Sequence, residues 1–153
     1  MRKKQGQHFS DIFEVQEKDP DGKRFDKVSR IRAHSDMYEM DLLLDINSDL
    51  YPIDVQDKFT LALSTTLSKD NQDSVDFFDK DLATKQGKGS LLDDYDYVMH
   101  GKVFKFKDNH KAGQLKVEVY VSYGGLLMQI TGSPKELESM EVDSNVYLLM
   151  RKV

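Results

Sequence analysis

Two glycines stand side by side in "VYVSYGGLLMQITG", from Val119 to Gly132, and such a pair has three chemical uses. It can cradle a phosphate, turn a hairpin, or admit the backbone of another protein. A phosphate cradle needs glycines spaced through a strand-to-helix turn, with N–H groups aimed by the helix N-terminus. Gly124 and Gly125 are followed by "LLMQI", which reads as strand, so the phosphate reading fails. Between two alternating runs the pair signals a two-residue hairpin, because glycine tolerates the positive φ that primed turns require. A bulged bend in one long strand is the alternative. In either case Tyr123, Leu126, Leu127 and Met128 crowd a turn whose solvent-facing form would be polar.

A second cluster is basic. "GKRFDKVSRIR" places Lys23, Arg24, Lys27, Arg30 and Arg32 against the single acid Asp26, in a chain of net charge -5. If "KVSRIRA" is a strand, Arg30 and Arg32 share a face, with Lys23 and Arg24 in the preceding turn and Phe25 near enough to stack on a base. Such a stripe suits single-stranded nucleic acid. A solvated face, or salt bridges to a protein, is the reading these residues favour when taken alone.

Other chemistries have weaker support. His8, His34, His100 and His110 are scattered without ligand spacing, so no metal site is expected. Asp41 and Asp45 share a parity in "DLLLD" and resemble a cation site, but solvated acids on an outer sheet face explain them better. Ser64 and Ser122 lie in strand-like runs with no nucleophile elbow. The chain has no cysteine, which removes thiol nucleophiles, zinc-thiolate sites and disulfides. No catalytic constellation and no cofactor site are expected.

The elements that would position these groups are strands. With 153 residues the chain is long enough for one domain with its own core. In "FTLALSTTL", Phe59, Leu61, Leu63, Thr65 and Leu67 alternate with Thr60, Ala62, Ser64 and Thr66, the period of a half-buried strand. "MDLLLDIN" and "LKVEVYVSY" repeat it. In "YVMHGKVFKF" the parity changes around Gly101, which predicts a bulge or bend there. Adding "FSDIFEV", "KVSRIRA", "LLMQITG" and "NVYLLMRKV" predicts about eight strands, the pattern of a closed antiparallel barrel or a sandwich. Ser133, Pro134 and Glu136 start one short helix in "SPKELESM". From Ser68 to Leu92 the sequence is polar and aperiodic, a long flexible loop that orders, if at all, on a partner. No stretch has the length of a signal peptide's apolar core or of a membrane span, so a soluble intracellular protein is expected, with no membrane partner.

Five blocks in order carry a family resemblance: "FDKVSR" (Phe25 to Arg30), "MDLLLDIN" leading to "YP" (Met40 to Pro52), "YDYVMHGKVFKF" (Tyr95 to Phe106), "YVSYGGLLMQITG" (Tyr120 to Gly132) and "VDSNVYLLMRK" (Val142 to Lys152). Together they closely resemble the eighth subunit of the nuclear DNA-dependent RNA polymerases, the one shared by polymerases I, II and III. The likeness runs from about Phe9 to Lys152; Met1 to His8 read as an extension without counterpart, and Gln129 stands where the family commonly has a basic residue. The resemblance implies an all-β fold, an antiparallel eight-stranded barrel of oligonucleotide-binding (OB-fold) type, formed by residues 9–153, with 68–92 as the long loop. It implies a non-catalytic structural role in the nucleus, docked on the largest subunit of polymerases I, II and III. On that reading Tyr123, Gly124, Gly125 and Leu127 meet the partner. The parity of the strand assigns Leu126, Met128 and Ile130 to the core and Leu127 to the partner. The family's early strands are also associated with non-specific single-stranded DNA binding. The corresponding span, roughly Asp19 to Met40, contains the cluster formed by Lys23, Arg24, Lys27, Arg30 and Arg32. A free-standing OB-fold binder of single-stranded nucleic acid is the alternative, and would be expected to interleave more aromatic residues along one groove.

Overall fold

A computed structural model describes residues 7–22, 26–66, 94–111 and 113–153. Lys23, Arg24, Phe25 and the expected loop 68–92 lie outside the described residues, as does most of the expected extension. The described residues form β1 (Gln7–Lys18), β2 (Val28–Ser35), β3 (Asp41–Asn47), β4 (Lys58–Ser64), β5 (Tyr97–Lys111), β6 (Gln114–Tyr123), β7 (Leu126–Gly132), the short helix α1 (Pro134–Leu137) and β8 (Asn145–Lys152). Every strand expected from alternation is present. β1 begins earlier than expected, at Gln7, so Gln7 and His8 are part of the barrel wall.

The strands close into a barrel in the order β1-β2-β3-β7-β6-β5-β8-β4, with every neighbouring pair antiparallel. Closure gives each of the described strands a neighbour on both sides, while β5 beyond Lys102 and β6 before Val117 pair only with each other. The inward residues of each strand fill the interior. Phe9, Phe13, Ile31, Leu42, Leu44, Phe59, Leu61, Val119, Val121, Ile130, Leu148 and Met150 are among those buried there, and the rings of Phe13 and Phe59 stack with centroids 5.8 Å apart. Burying such a side chain contributes roughly 1.5–3 kcal/mol, which makes the alternating apolar face the main determinant of which way each strand faces. Ser133 caps α1, accepting from the Lys135 N–H at 3.2 Å. Among the described residues no helix is long and apolar enough to cross a membrane.

Two expectations are corrected. β4 is not half-buried: Ala62, on its outer face, packs with Tyr147 and Leu149 of β8 into a second buried cluster, flanked by Tyr95 and Val98. The parity change in β5 falls not at Gly101 but at Phe104, where the register to β6 slips between Val103 and Lys105. Gly101 has a different cause. A Cβ at that position would stand 2.2 Å from the carbonyl oxygen of Ser122 and 2.7 Å from the Tyr123 ring, so β5 approaches the end of β6 closely enough to exclude any side chain.

Candidate functional site

Tyr123 pairs with Leu126, so Gly124 and Gly125 form a two-residue hairpin loop between β6 and β7. Their φ values are +65° and +102°, the left-handed pair that matches a primed turn to the twist of the strands. The bulged-bend alternative is thereby removed. A Cβ built on either glycine meets nothing within 4 Å, so their absent side chains are explained by backbone conformation and not by crowding within this chain.

The faces divide as the parity predicts. Met128 and Ile130 are buried, Leu126 packs against the same core, and Leu127 stands on the outer face with 41% of its surface exposed. The Tyr123 ring points inward. It is only 5% exposed and its hydroxyl lies 3.8 Å from the Met128 sulfur, because its parity on β6 matches Val119 and Val121 and carries the ring into the barrel. Burial pushes its phenol well above the ordinary tyrosine range. The outward residues at the tip are therefore Leu127 and the two glycines.

The tip is also held from outside the hairpin. Asp45 of β3 accepts the Leu127 N–H at 3.0 Å through Oδ2, and the same carboxylate takes Arg30 of β2 in a two-pronged pair, Nε to Oδ1 at 2.7 Å and Nη2 to Oδ2 at 3.2 Å. Bidentate geometry of this kind is the strong form of an ion pair. It raises the Arg30 guanidinium further above its usual range. Asp45 is thus a buried acid, 7% exposed, and not the solvated one expected. Beside it a cleft of about 280 Å³, lined by Asp19, Pro20, Val28, Arg30, Asp45 and Leu126, separates the β1–β2 turn from the hairpin.

The described part of the basic cluster is largely paired. Arg30 and Arg32 share the outer face as expected, but Arg30 is engaged by Asp45, and Arg32 lies 3.5 Å from Glu17. Lys27 is exposed in the turn before β2. Arg32 opens on a groove that Asp41 and Glu118 also line, so its surroundings are of mixed charge. Asp41 pairs with His34 at 2.9 Å. Thus the two acids that resembled a cation site face different basic partners. Among the described residues no three His, Cys, Asp or Glu side chains group as metal ligands.

A match to the family model of RNA polymerase Rpb8 covers residues 10–152. The chain belongs to the RNA polymerase Rpb8 family. Among similar proteins, "DNA-directed RNA polymerases II, IV and V subunit 8B" of Arabidopsis thaliana is 45% identical over 145 residues, covering 95% of each chain. "DNA-directed RNA polymerases I, II, and III subunit rpabc3" of Dictyostelium discoideum is 43% identical over 148 residues, 94% of this chain and 96% of the relative. The Saccharomyces cerevisiae subunit RPABC3 of polymerases I, II and III is 38% identical over 151 residues, 94% and 97%. These relatives are complex components, named as subunits and not as enzymes in their own right. Family membership thus agrees with the barrel and gives its outer surface a reason to carry contacts.

One polar cluster on that surface escaped sequence reasoning. Glu118 of β6 accepts from the Tyr120 hydroxyl at 2.6 Å and from the Asn109 amide, with Lys107 at 3.5 Å. The Tyr120 bond leads in holding its carboxyl below the usual range, with help from Asn109 and Lys107 against desolvation. In turn the Tyr120 phenol is pushed up to about 12, mainly by the same bond. A carboxyl depressed in the folded state contributes stability above its unfolded pKa and loses it as pH falls through the folded value. The wild-type chain is therefore expected to lose more stability than Glu118→Gln as the pH drops below about 4.5. Urea unfolding at a series of acid pH values measures this; parallel losses in the two proteins would remove Glu118 as a contributor.

Proposed function

We propose that this chain is a non-catalytic structural subunit shared by the nuclear RNA polymerases I, II and III, and that it docks on the largest subunit through the outer face of the Gly124–Gly125 hairpin. The carrying observation is the tip itself. Leu127 is an exposed leucine on a turn whose two glycines leave open space around the backbone, while the neighbouring Tyr123, Met128 and Ile130 satisfy the barrel. A partner can therefore reach the backbone of the turn and cover Leu127 without disturbing the core. The relatives' names support the kind of assembly, and the exposure of Leu127 supports this side as the one that docks. Co-purification of Leu127→Asp with the largest subunit is the test, and its loss is the expected result.

Non-specific single-stranded DNA binding by Lys23, Arg24, Lys27, Arg30 and Arg32 is a second reading, supported by the shared outer face of Arg30 and Arg32 and by the half-exposed Arg32 side chain. Phosphate would have to compete with the bidentate Asp45 for Arg30, but only with the longer Glu17 contact for Arg32. If the cluster binds phosphate, Arg32→Gln is expected to weaken binding of all sequences alike and to lower the salt slope by about 1. Titration of a labelled oligonucleotide at several salt concentrations measures both. Unchanged affinity and slope would assign Arg32 to its contact with Glu17.

A further inference from the structure

We propose that Asp45 is a positioning residue for the docking hairpin, oriented by Arg30, so that one member of the basic cluster serves assembly. This inference rests on the docking reading above. In a two-residue hairpin the first strand pair after the turn exchanges backbone hydrogen bonds and the next pair does not. Tyr123 and Leu126 are that first pair, so the N–H of Leu127 is turned away from β6, toward β3. The β3–β7 ladder stops at Leu44 paired with Met128, one residue short of the tip. There the Asp45 side chain takes over from the backbone, accepting the Leu127 N–H across a separation of 82 residues. Its other oxygen and its negative charge are held by Arg30, directly across the β2–β3 pair in register.

The arrangement fixes the orientation of the one outward apolar side chain at the tip. Without the carboxylate, the Leu127 N–H has no acceptor from β3, and the end of the hairpin is free to hinge beyond Met128. A partner would then have to order the tip on binding, which lowers affinity without altering any contact surface. Arg30 does not touch the hairpin through this bond; it acts through Asp45.

A charge exchange separates this role from simple ion pairing. The double variant Arg30→Asp with Asp45→Arg restores an ion pair across β2 and β3 but leaves no carboxylate to accept from Leu127. Three readouts are taken on the full chain: thermal melting, amide hydrogen exchange at Leu127, and co-purification with the largest polymerase subunit. The exchanged variant is expected to melt near the wild type, to exchange the Leu127 amide about tenfold faster while Ile130 stays protected, and to lose about tenfold in assembly affinity. Wild-type assembly with a fast Leu127 amide, or a Leu127 amide that does not accelerate, would overturn the proposal. If the double variant does not fold, Arg30→Lys replaces it. That variant keeps the charge but loses the two-pronged grip, and unchanged Leu127 exchange and assembly in it would be equally contrary. Leu127→Asp run in parallel tells the two ideas apart. Its normal assembly would overturn the docking reading, whereas its failure beside a fully competent charge-exchange variant would overturn only the role of Asp45.

Discussion

Gly101→Ala is expected to destabilise the barrel by about 3 kcal/mol or more, the upper range for forced overpacking, because the obstacle is backbone. The added methyl would lie 2.2 Å from the Ser122 carbonyl oxygen and 2.9 Å from its carbon. The Tyr123 ring at 2.7 Å could turn aside, but Ser122 is fixed on both sides, by Lys102 of β5 and Leu127 of β7. Relief therefore requires β5 to separate from β6 where the hairpin begins. For a chain of this size such a loss corresponds to a fall of roughly 10 °C in Tm. Gly125→Ala is the informative comparison. Its φ of +102° strains any side chain, but the space around it is open, so its cost should be nearer 1 kcal/mol. Differential scanning calorimetry of the two variants measures the contrast. Equal Tm values would mean that the approach of β5 to Ser122 relaxes easily.

Leu127→Asp is expected to leave the free barrel folded and to abolish stable assembly. In the free chain Leu127 is 41% exposed on the outer face, and replacing it removes little buried area. The new carboxylate lies near Asp45, which adds some repulsion, but the change in stability should stay within about 1 kcal/mol. At an interface the balance differs. A charge buried without a partner costs several kcal/mol, and a loss of about 3 kcal/mol is already more than a hundredfold in affinity. Leu115→Asp supplies the control, since Leu115 is also exposed but sits at the opposite end of β6. Melting and co-purification of both variants decide the matter. A large fall in Tm for Leu127→Asp would place Leu127 in the core, and assembly unaffected by it would move the docking face elsewhere.

Much of the fold was legible because a strand with one buried face writes its period into the sequence. "LLMQITG" coincides with β7 from Leu126 to Gly132, and its parity placed Met128 and Ile130 inside and Leu127 outside. What alternation does not carry is which strands meet. The pairings β3 with β7 and β5 with β8 join distant segments, and no local pattern names a partner. The outer cluster of Ala62, Tyr147 and Leu149 was missed for a related reason. Alternation assigns the second face of a strand to solvent, and that face is apolar here through residues on two strands far apart in sequence. The candidate site divides the same way. Gly-Gly between two strands reported the turn directly, whereas Asp45 looked like a solvated acid because its partners, Arg30 and the Leu127 N–H, are brought together only by the sheet register. Tyr123 was grouped with the tip by proximity in the chain, although its own parity pointed inward.

On the proposed docking, the outer face of the hairpin meets the largest polymerase subunit. Photo-crosslinking tests it most directly, with a benzophenone amino acid in place of Leu127 in the assembled polymerase and in place of Leu115 as the remote control. Irradiation is expected to join the Leu127 position to the largest subunit in high yield and the Leu115 position to it weakly or not at all. A Leu127 probe that captures a different subunit, or only water while the chain remains in the complex, would place the docking face elsewhere.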